Sequence, residues 1–429
     1  MDGAAVTAAY AALCVAARAA GFDHVSDDDF SRVTIAQAFA HAPRLDPSGT
    51  SWLPFPFWTL GSALAIFGRS LATARAASIA LASVAAALPY VALRAAGVTR
   101  GRALFAAAFA LGTPWCVWLG AATVPESCTA TLAAAGAIGL AASDRPRPAL
   151  FACAIAAAAL SRYEPWPVAA VLAIVLAARG LRADDPRARR AVFVAALVCA
   201  AGPLAWMAWN AHAHDGPLHF FRRVSNYKRA IGEGSTDAAD ALLLYPRLFF
   251  ATRPEVAIPF AFALVPALRD GELRRRWGAP LLCVAAQLAF LAYGNARDGA
   301  PAHHAERALL GAWVIAALFV GDAGLVLLRE LVVQGRGLAA RAGAACVGVA
   351  WVISTARGYE PPGSGPSDDR RDPVARGLEL RAAGAKGLVV TPCAFEHFAL
   401  IAAYGAPEDV EVRPRAVAAD GRCPRVEVR

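Results

Sequence analysis

Charge is scarce in this sequence. Asp, Glu, Lys and Arg make up 17% of its 429 residues, against 58% hydrophobic. A chain so poor in charge is not intrinsically disordered, and a freely soluble enzyme is all but excluded. Lysine is nearly absent, with only Lys228 and Lys386 beside 40 arginines. The net charge of +9 therefore reads as an arginine bias rather than a nucleic-acid surface. In a polytopic membrane protein such an excess collects in cytoplasmic loops. Also missing are the G-x-x-x-x-G-K-[ST] loop and the dinucleotide fingerprint, so neither ATP drive nor a nucleotide cofactor is indicated. The nine cysteines show no C-x-x-C or other metal spacing. Seven fall in or beside apolar stretches, where Cys acts as a small apolar residue. Cys393 and Cys423 lie in the C-terminal tail, where an oxidising compartment permits a disulfide.

What is present is a series of apolar blocks of roughly the length that crosses a bilayer core. The expected spans are 4–20, 71–93, 103–120, 127–142, 148–160, 165–178, 191–211, 255–268, 279–293, 308–328 and 342–356. The first reads as a retained helix, since no basic region precedes it. A further apolar stretch, 53–68, contains Pro54 and Pro56 and reads as a surface or re-entrant helix. Loops 94–102, 144–147, 179–190, 269–276 and 329–341 hold 17 Arg in 46 residues. The alternate set holds 12 Arg or Lys in 115. The positive-inside rule then places the N-terminus inside and the second set outside. All eight His and most Trp fall on that outer side, more than a two-sided aromatic belt requires.

The expected organisation is a transmembrane domain at 1–356, with a first outer loop at 22–70. A Pro-, Gly- and charge-rich linker follows at 357–373, and a small soluble α/β unit at 374–429, with strands near 387–391 and 409–413.

Titratable residues gather at five outer loops. The first carries Asp27-Asp28-Asp29 and Arg32 just past a membrane helix. A helix cap explains one or two of these acids but not three, and carboxylates here suit proton acceptance or a divalent cation. The second ends in Pro125-Glu126 at the head of a span, where an ionisable group is a site candidate. The third, Ser161-Arg162-Tyr163-Glu164, puts an arginine on the outer side, where it suits a phosphate. The long loop 212–253 sets basic residues beside Phe220, Phe221 and Tyr227, a pattern suited either to a phosphate on an apolar chain or to anionic lipid. The fifth ends in His303-His304-Ala305-Glu306-Arg307. Arg307 at a helix N-terminus opposes the dipole, a cost that points to an anionic partner.

The order of these features resembles the GT-C superfamily of membrane glycosyltransferases. Within it the chain looks most like glycosyltransferase family 39, the protein mannosyltransferase and aminoarabinose transferase relatives. Asp28-Asp29-Phe30-Ser31-Arg32 is similar to that family's first acidic motif. Trp52-Leu53-Pro54-Phe55-Pro56, followed by Phe67-Gly68-Arg69-Ser70 and Arg75, is similar to its Pro-rich run. Val124-Pro125-Glu126 matches the position of the second acidic motif, and Ser161-Arg162-Tyr163-Glu164 looks like a turn of bacterial members. The resemblance implies an all-α polytopic fold of about 11 transmembrane helices and a sugar donor on a polyprenyl phosphate. It implies inverting transfer to an acceptor hydroxyl or amine at the outer face of a bacterial inner membrane, with the acceptor's identity left open. It assigns catalysis to Asp28 or Asp29, ahead of Asp27, with Glu126 assisting the acceptor or a metal. Charge and location add Asp27, Arg32, Arg162, Glu164, His303, His304 and Arg307 as substrate-binding candidates. Two rivals remain: a transporter or flippase, which needs polar residues at mid-span, and a surface-polysaccharide polymerase or ligase.

Overall fold

Apolar segments in a membrane can satisfy their backbone N–H and C=O groups only within helices or closed barrels, and alanine-rich blocks favour helices. In the computed structural model, which describes residues 2–142, 148–230, 237–298, 304–357, 369–414 and 425–428, each of the eleven expected spans falls on a helix or a pair of helices. They are α1 (Asp2–Ala19), α4 (Leu71–Ala95), α5 with α6 (Arg100–Leu111, Pro114–Ala121), α7 (Glu126–Ala142), α8 (Pro148–Ala159), α9 (Pro165–Leu181), α10 (Pro186–Ala213), α13 (Pro254–Arg269), α14 (Gly271–Ala296), α15 (Ala305–Val333) and α16 (Gly337–Arg357). Between them lie α2 (Asp28–His41), α3 (Phe55–Phe67), α11 (His219–Ala230) and α12 (Ala238–Thr252). Among the described residues, five helices are long and apolar enough to cross a membrane alone: α4, α10, α14, α15 and α16. Two bent pairs bring the total to seven. Large apolar side chains such as Phe262, Ile174, Leu197 and Val333 point outward, the surface of an integral membrane protein in contact with lipid.

Both bent pairs depart from the sequence expectation, and proline explains each. The block 103–120 is broken by 72° ahead of Pro114. α12, which falls in a stretch expected to be loop, joins α13 through a 103° bend ahead of Pro254. A proline removes a backbone donor and disfavours helix in the residue before it.

Helix α7 sits at the centre. Gly136 and Gly139 let α8 approach closely, since a Cβ at these positions would lie 2.3 Å from Ile155 and 2.4 Å from Phe151. Small residues of this kind substitute for the missing hydrophobic drive between helices in lipid. At the opposite end of the bundle from α2, Asp322 of α15 is fully buried. It accepts from Arg276 Nη1 at 3.1 Å and Trp277 Nε1 at 2.9 Å, and pairs with Arg102.

After α16 come α17 (Arg371–Ala382), β1 (Leu388–Thr391), α18 (His397–Tyr404), β2 (Val410–Val412) and β3 (Arg425–Val428). β1 is central, parallel to β2 and antiparallel to β3; β3 was not anticipated from the sequence. The small α/β unit expected at this end is thus present, and Cys393 in it is disulfide-bonded. Cys423 lies outside the described residues. Helix α18 packs on α2 and α4, with Ala399, Ala402 and Ala403 in one apolar cluster with Phe30, Val33, Ala36, Leu71 and Ala74. Gln37 Nε2 donates to the Ala402 carbonyl at 2.8 Å and the Arg69 carbonyl at 2.9 Å, and Arg69 pairs with Glu408 at 2.7 Å.

Candidate active site

The three consecutive aspartates part company at the start of α2, because successive residues of a helix point about 100° apart. Asp27 faces the C-terminal unit, where Arg370 donates from Nε and Nη2 to its two oxygens at 2.7 and 2.9 Å. Asp29 turns inward and is 2% exposed. Its Oδ2 accepts from the N–H groups of Val25 and Ser26 at 3.0 and 3.2 Å. Its Oδ1 accepts from the Thr123 N–H at 3.0 Å. Burial, the largest effect, pushes the Asp29 carboxyl above the usual range, against the opposing pull of the Thr123 and Val25 donors and the Arg307 charge. Asp29 thus ties the segment before α2 to the one before α7. Asp28 is the accessible member, with its side chain 42% exposed and 3.2 Å from Arg307 Nη1.

Glu126, at the first position of α7, is 2% exposed. Its Oε1 accepts from Arg162 Nη1 at 2.6 Å and from Arg307 Nε and Nη2 at 2.9 and 2.5 Å. Arg162 also donates from Nε to both oxygens of Glu164 at 3.0 Å, so two carboxylates share it. Arg307 reaches Ser26 Oγ at 3.1 Å as well. Its position at the head of α15, unfavourable to the helix dipole, is compensated by Glu126 and Asp28. Four segments distant in sequence therefore converge on one charged cluster.

Arg32 completes it. One turn into α2 and 5% exposed, its guanidinium lies 4.4 Å from the Trp52 ring centroid and 5.8 Å from that of Phe57. Its Nε and Nη1 are buried and make no hydrogen bond. Burial pulls it down to about 10 against the nearby Glu126 and Asp28 charges, so it stays protonated at neutral pH. A buried cation without hydrogen-bond partners is costly, and a stacked arginine is pre-organised for an anion.

Of the remaining candidates, His304 sits at the start of α15 with φ 52°, and His303 lies outside the described residues. The basic residues of 212–253 do not join the cluster. Lys228 is buried and donates to Asn295 Oδ1 at 2.8 Å, and Arg222 donates to the Asp215 carbonyl. Phe220 stacks on Tyr163 at 4.3 Å, so this loop covers the third turn. Sequence reasoning missed Arg370, Thr129 and Gln287. Thr129 lies three residues past Glu126 on the same helix face, and Gln287 is an amide inside an apolar block; both were visible signals.

Among the described residues no three His, Cys, Asp or Glu side chains converge as a metal site would require. Asp27, Asp28, Glu126 and Glu164 are each paired with a guanidinium. The arrangement does not fit a resident divalent cation, because arginines already occupy the positions where it would be held.

No family model and no curated protein sequence matches the chain. Solved structures do. ArnT from Cupriavidus metallidurans, determined bound to undecaprenyl phosphate, superposes with a TM-score of 0.54 at 14% identity, over 94% of this chain and 85% of that one. An Archaeoglobus fulgidus oligosaccharyltransferase, in complex with zinc and sulfate, gives 0.48 at 14% identity, over 88% of this chain and 55% of that one. The chain thus spans about half the length of the oligosaccharyltransferase. The fold is similar to that of ArnT.

Proposed function

We propose that this integral membrane protein is a glycosyltransferase that moves a sugar from a polyprenyl-phosphate donor to an acceptor hydroxyl or amine. The proposed setting is the outer face of a bacterial inner membrane, with the N-terminus inside and the C-terminal unit outside. The observation that carries the reading is Arg32, a buried, stacked guanidinium with two unpaired nitrogens beside an accessible carboxylate. The ArnT-like fold supports it, since that protein was solved with undecaprenyl phosphate bound.

In the reaction the acceptor oxygen or nitrogen attacks the anomeric carbon from the side opposite the phosphate. Asp28 takes the acceptor proton. The bond between the anomeric carbon and the phosphate oxygen breaks, and the electron pair leaves with the phosphate. Arg32 and the Arg162–Arg307 pair stabilise that developing charge from fixed positions in a low-dielectric setting. Asp29 and Glu126 hold the loops that carry these groups. Asp29 is thereby a positioning residue in this scheme.

The test uses protein reconstituted in liposomes of bacterial envelope lipid, which supplies acceptor hydroxyls and amines, with undecaprenyl phosphate carrying labelled glucose, mannose or arabinose. Mass spectrometry reads release of undecaprenyl phosphate. Wild type is expected to release it, and Asp28→Asn to slow release by about a hundredfold or more. Undiminished release by Asp28→Asn overturns the residue assignment. Ion-coupled solute uptake with no release overturns the transferase reading in favour of a transporter.

A further inference from the structure

Helix α2 presents two different sides. Positions 27, 30, 37 and 41 recur at helical spacing and share one of them. Positions 28 and 32, one turn apart, share the other, roughly half a turn round the axis. The second side faces the charged cluster with Asp28 and Arg32. The first is gripped by the C-terminal unit along its length. At its start Arg370 holds both oxygens of Asp27, at 2.7 and 2.9 Å, and the two side chains are only 11% and 23% exposed. In the middle, Phe30, Val33 and Ala36 share an apolar cluster with Ala399, Ala402 and Ala403. Gln37, fully buried, donates to the Ala402 carbonyl at 2.8 Å. At the end, His41 Nδ1 lies 3.5 Å from Glu408. The fit leaves little slack: a Cβ at Gly405 would lie 2.8 Å from the Arg69 carbonyl.

A grip of this kind fixes the rotation of α2 about its own axis. Turning the helix by about 20° would carry a side-chain carboxylate about 2 Å sideways. That is enough to part Asp28 from Arg307, which it meets at 3.2 Å. A misplacement of about 1 Å can cost about a hundredfold in rate. The pair at the start of the helix suits the task, because a guanidinium that engages both carboxylate oxygens fixes direction as well as distance. Held by Arg370, Asp27 also does not compete with Asp28 for Arg307.

We infer that the C-terminal unit sets the working position of Asp28 from behind, through the clasp of Arg370 on Asp27. The inference rests on the glycosyltransferase reading and adds a component to its machinery, 343 residues from Asp27 in sequence. Arg370 and Asp27 are positioning residues under this assignment. Asp27, expected among the substrate-binding groups, acts on the site without touching substrate.

The full chain is placed in the same liposomes with undecaprenyl phosphate carrying the sugar that wild type transfers, and initial rates of lipid-phosphate release are read against donor concentration. Arg370→Gln and Asp27→Asn are each expected to lower kcat about ten- to a hundredfold, with KM for the donor within about twofold of wild type. The double variant is expected to be no slower than the slower single variant, since both remove one contact. Arg370→Lys, which keeps the charge and loses the planar fork, is expected to recover part of the rate. Arg371→Gln is the control, expected at the wild-type rate: its side chain is 86% exposed and pairs with Asp369. Unchanged kcat in Arg370→Gln overturns the inference. So does a raised KM at constant kcat, which makes the clasp a donor-binding element, and so do losses that multiply in the double variant. If Arg370→Gln does not insert, Asp27→Asn reads the same contact from the other side. A wild type that releases no lipid phosphate takes down the glycosyltransferase reading and the inference together. A wild type that transfers, beside an Arg370→Gln at full rate, takes down the inference alone.

Discussion

Replacing Asp29 by alanine, beside Asp28 by asparagine, separates two carboxylates that are neighbours in sequence and have different work. Asp29 accepts from three backbone N–H groups, those of Val25, Ser26 and Thr123. Its removal strands donors inside the protein at about 1–3 kcal/mol each. Part of that is returned, because a carboxyl raised by burial is itself an unfavourable group to keep ionised. Local relaxation returns more. The net expected loss is about 3 kcal/mol, within the range of a broken buried network. Asp28 makes one ion pair at 3.2 Å with its side chain 42% exposed, and its neutralisation is expected to cost under about 1 kcal/mol. Thermal unfolding in detergent, followed for both variants and wild type, reads the difference. Glycosyl transfer measured on the same samples should be lost in Asp28→Asn while its melting stays near wild type. An Asp29→Ala variant as stable as wild type, or an Asp28→Asn variant that melts much lower, would refute the division of labour.

Asp322→Ala should destabilise the bundle by about 3–5 kcal/mol, because Arg102, Arg276 and the Trp277 N–H lose their shared buried partner; denaturant unfolding of the intact protein checks this. Asp322→Asn should cost less, since one amide oxygen still accepts. For pH, Asp23 is the informative group. Desolvation raises it, but the His24 hydrogen bond and the Arg75 and Arg18 charges outweigh that and hold it at about 2, below its ordinary 3.8. A depressed carboxyl contributes stability that is present above the unfolded-state value and is lost as pH falls through the folded-state value. Wild type should therefore lose melting temperature between about pH 4 and 2 more steeply than Asp23→Asn; parallel curves would refute the assignment.

The helices were legible because apolar blocks of membrane length leave the backbone no other choice. Their breaks were less so. Pro114 and Pro254 stood in plain view, yet a proline inside an apolar block is compatible with a kink, a break or neither until neighbours pack around it. At the site, residue types and loop positions identified the members of the cluster, since Asp28, Glu126, Arg162 and Arg307 are anomalous at a membrane boundary. What local sequence could not supply was the division among the three aspartates. Asp29 is claimed by Thr123 and Asp27 by Arg370, partners 94 and 343 residues away, and only the folded bundle brings them near. Thr129 was overlooked for a different reason: its spacing from Glu126 was visible, but nothing in the sequence marks its hydroxyl as unpaired.

The grip of Arg370 on Asp27 has a consequence for biogenesis. The ribosome makes the acidic loop within the first tenth of the chain, but the arginine that clasps it emerges only after the last apolar helix. Throughout synthesis the loop stands without its clasp. A nascent chain stalled before residue 370 would carry every other member of the charged cluster, with the partners of Asp28 and Asp29 already made, so only the fastening of the acidic loop to the C-terminal unit waits for the end of translation.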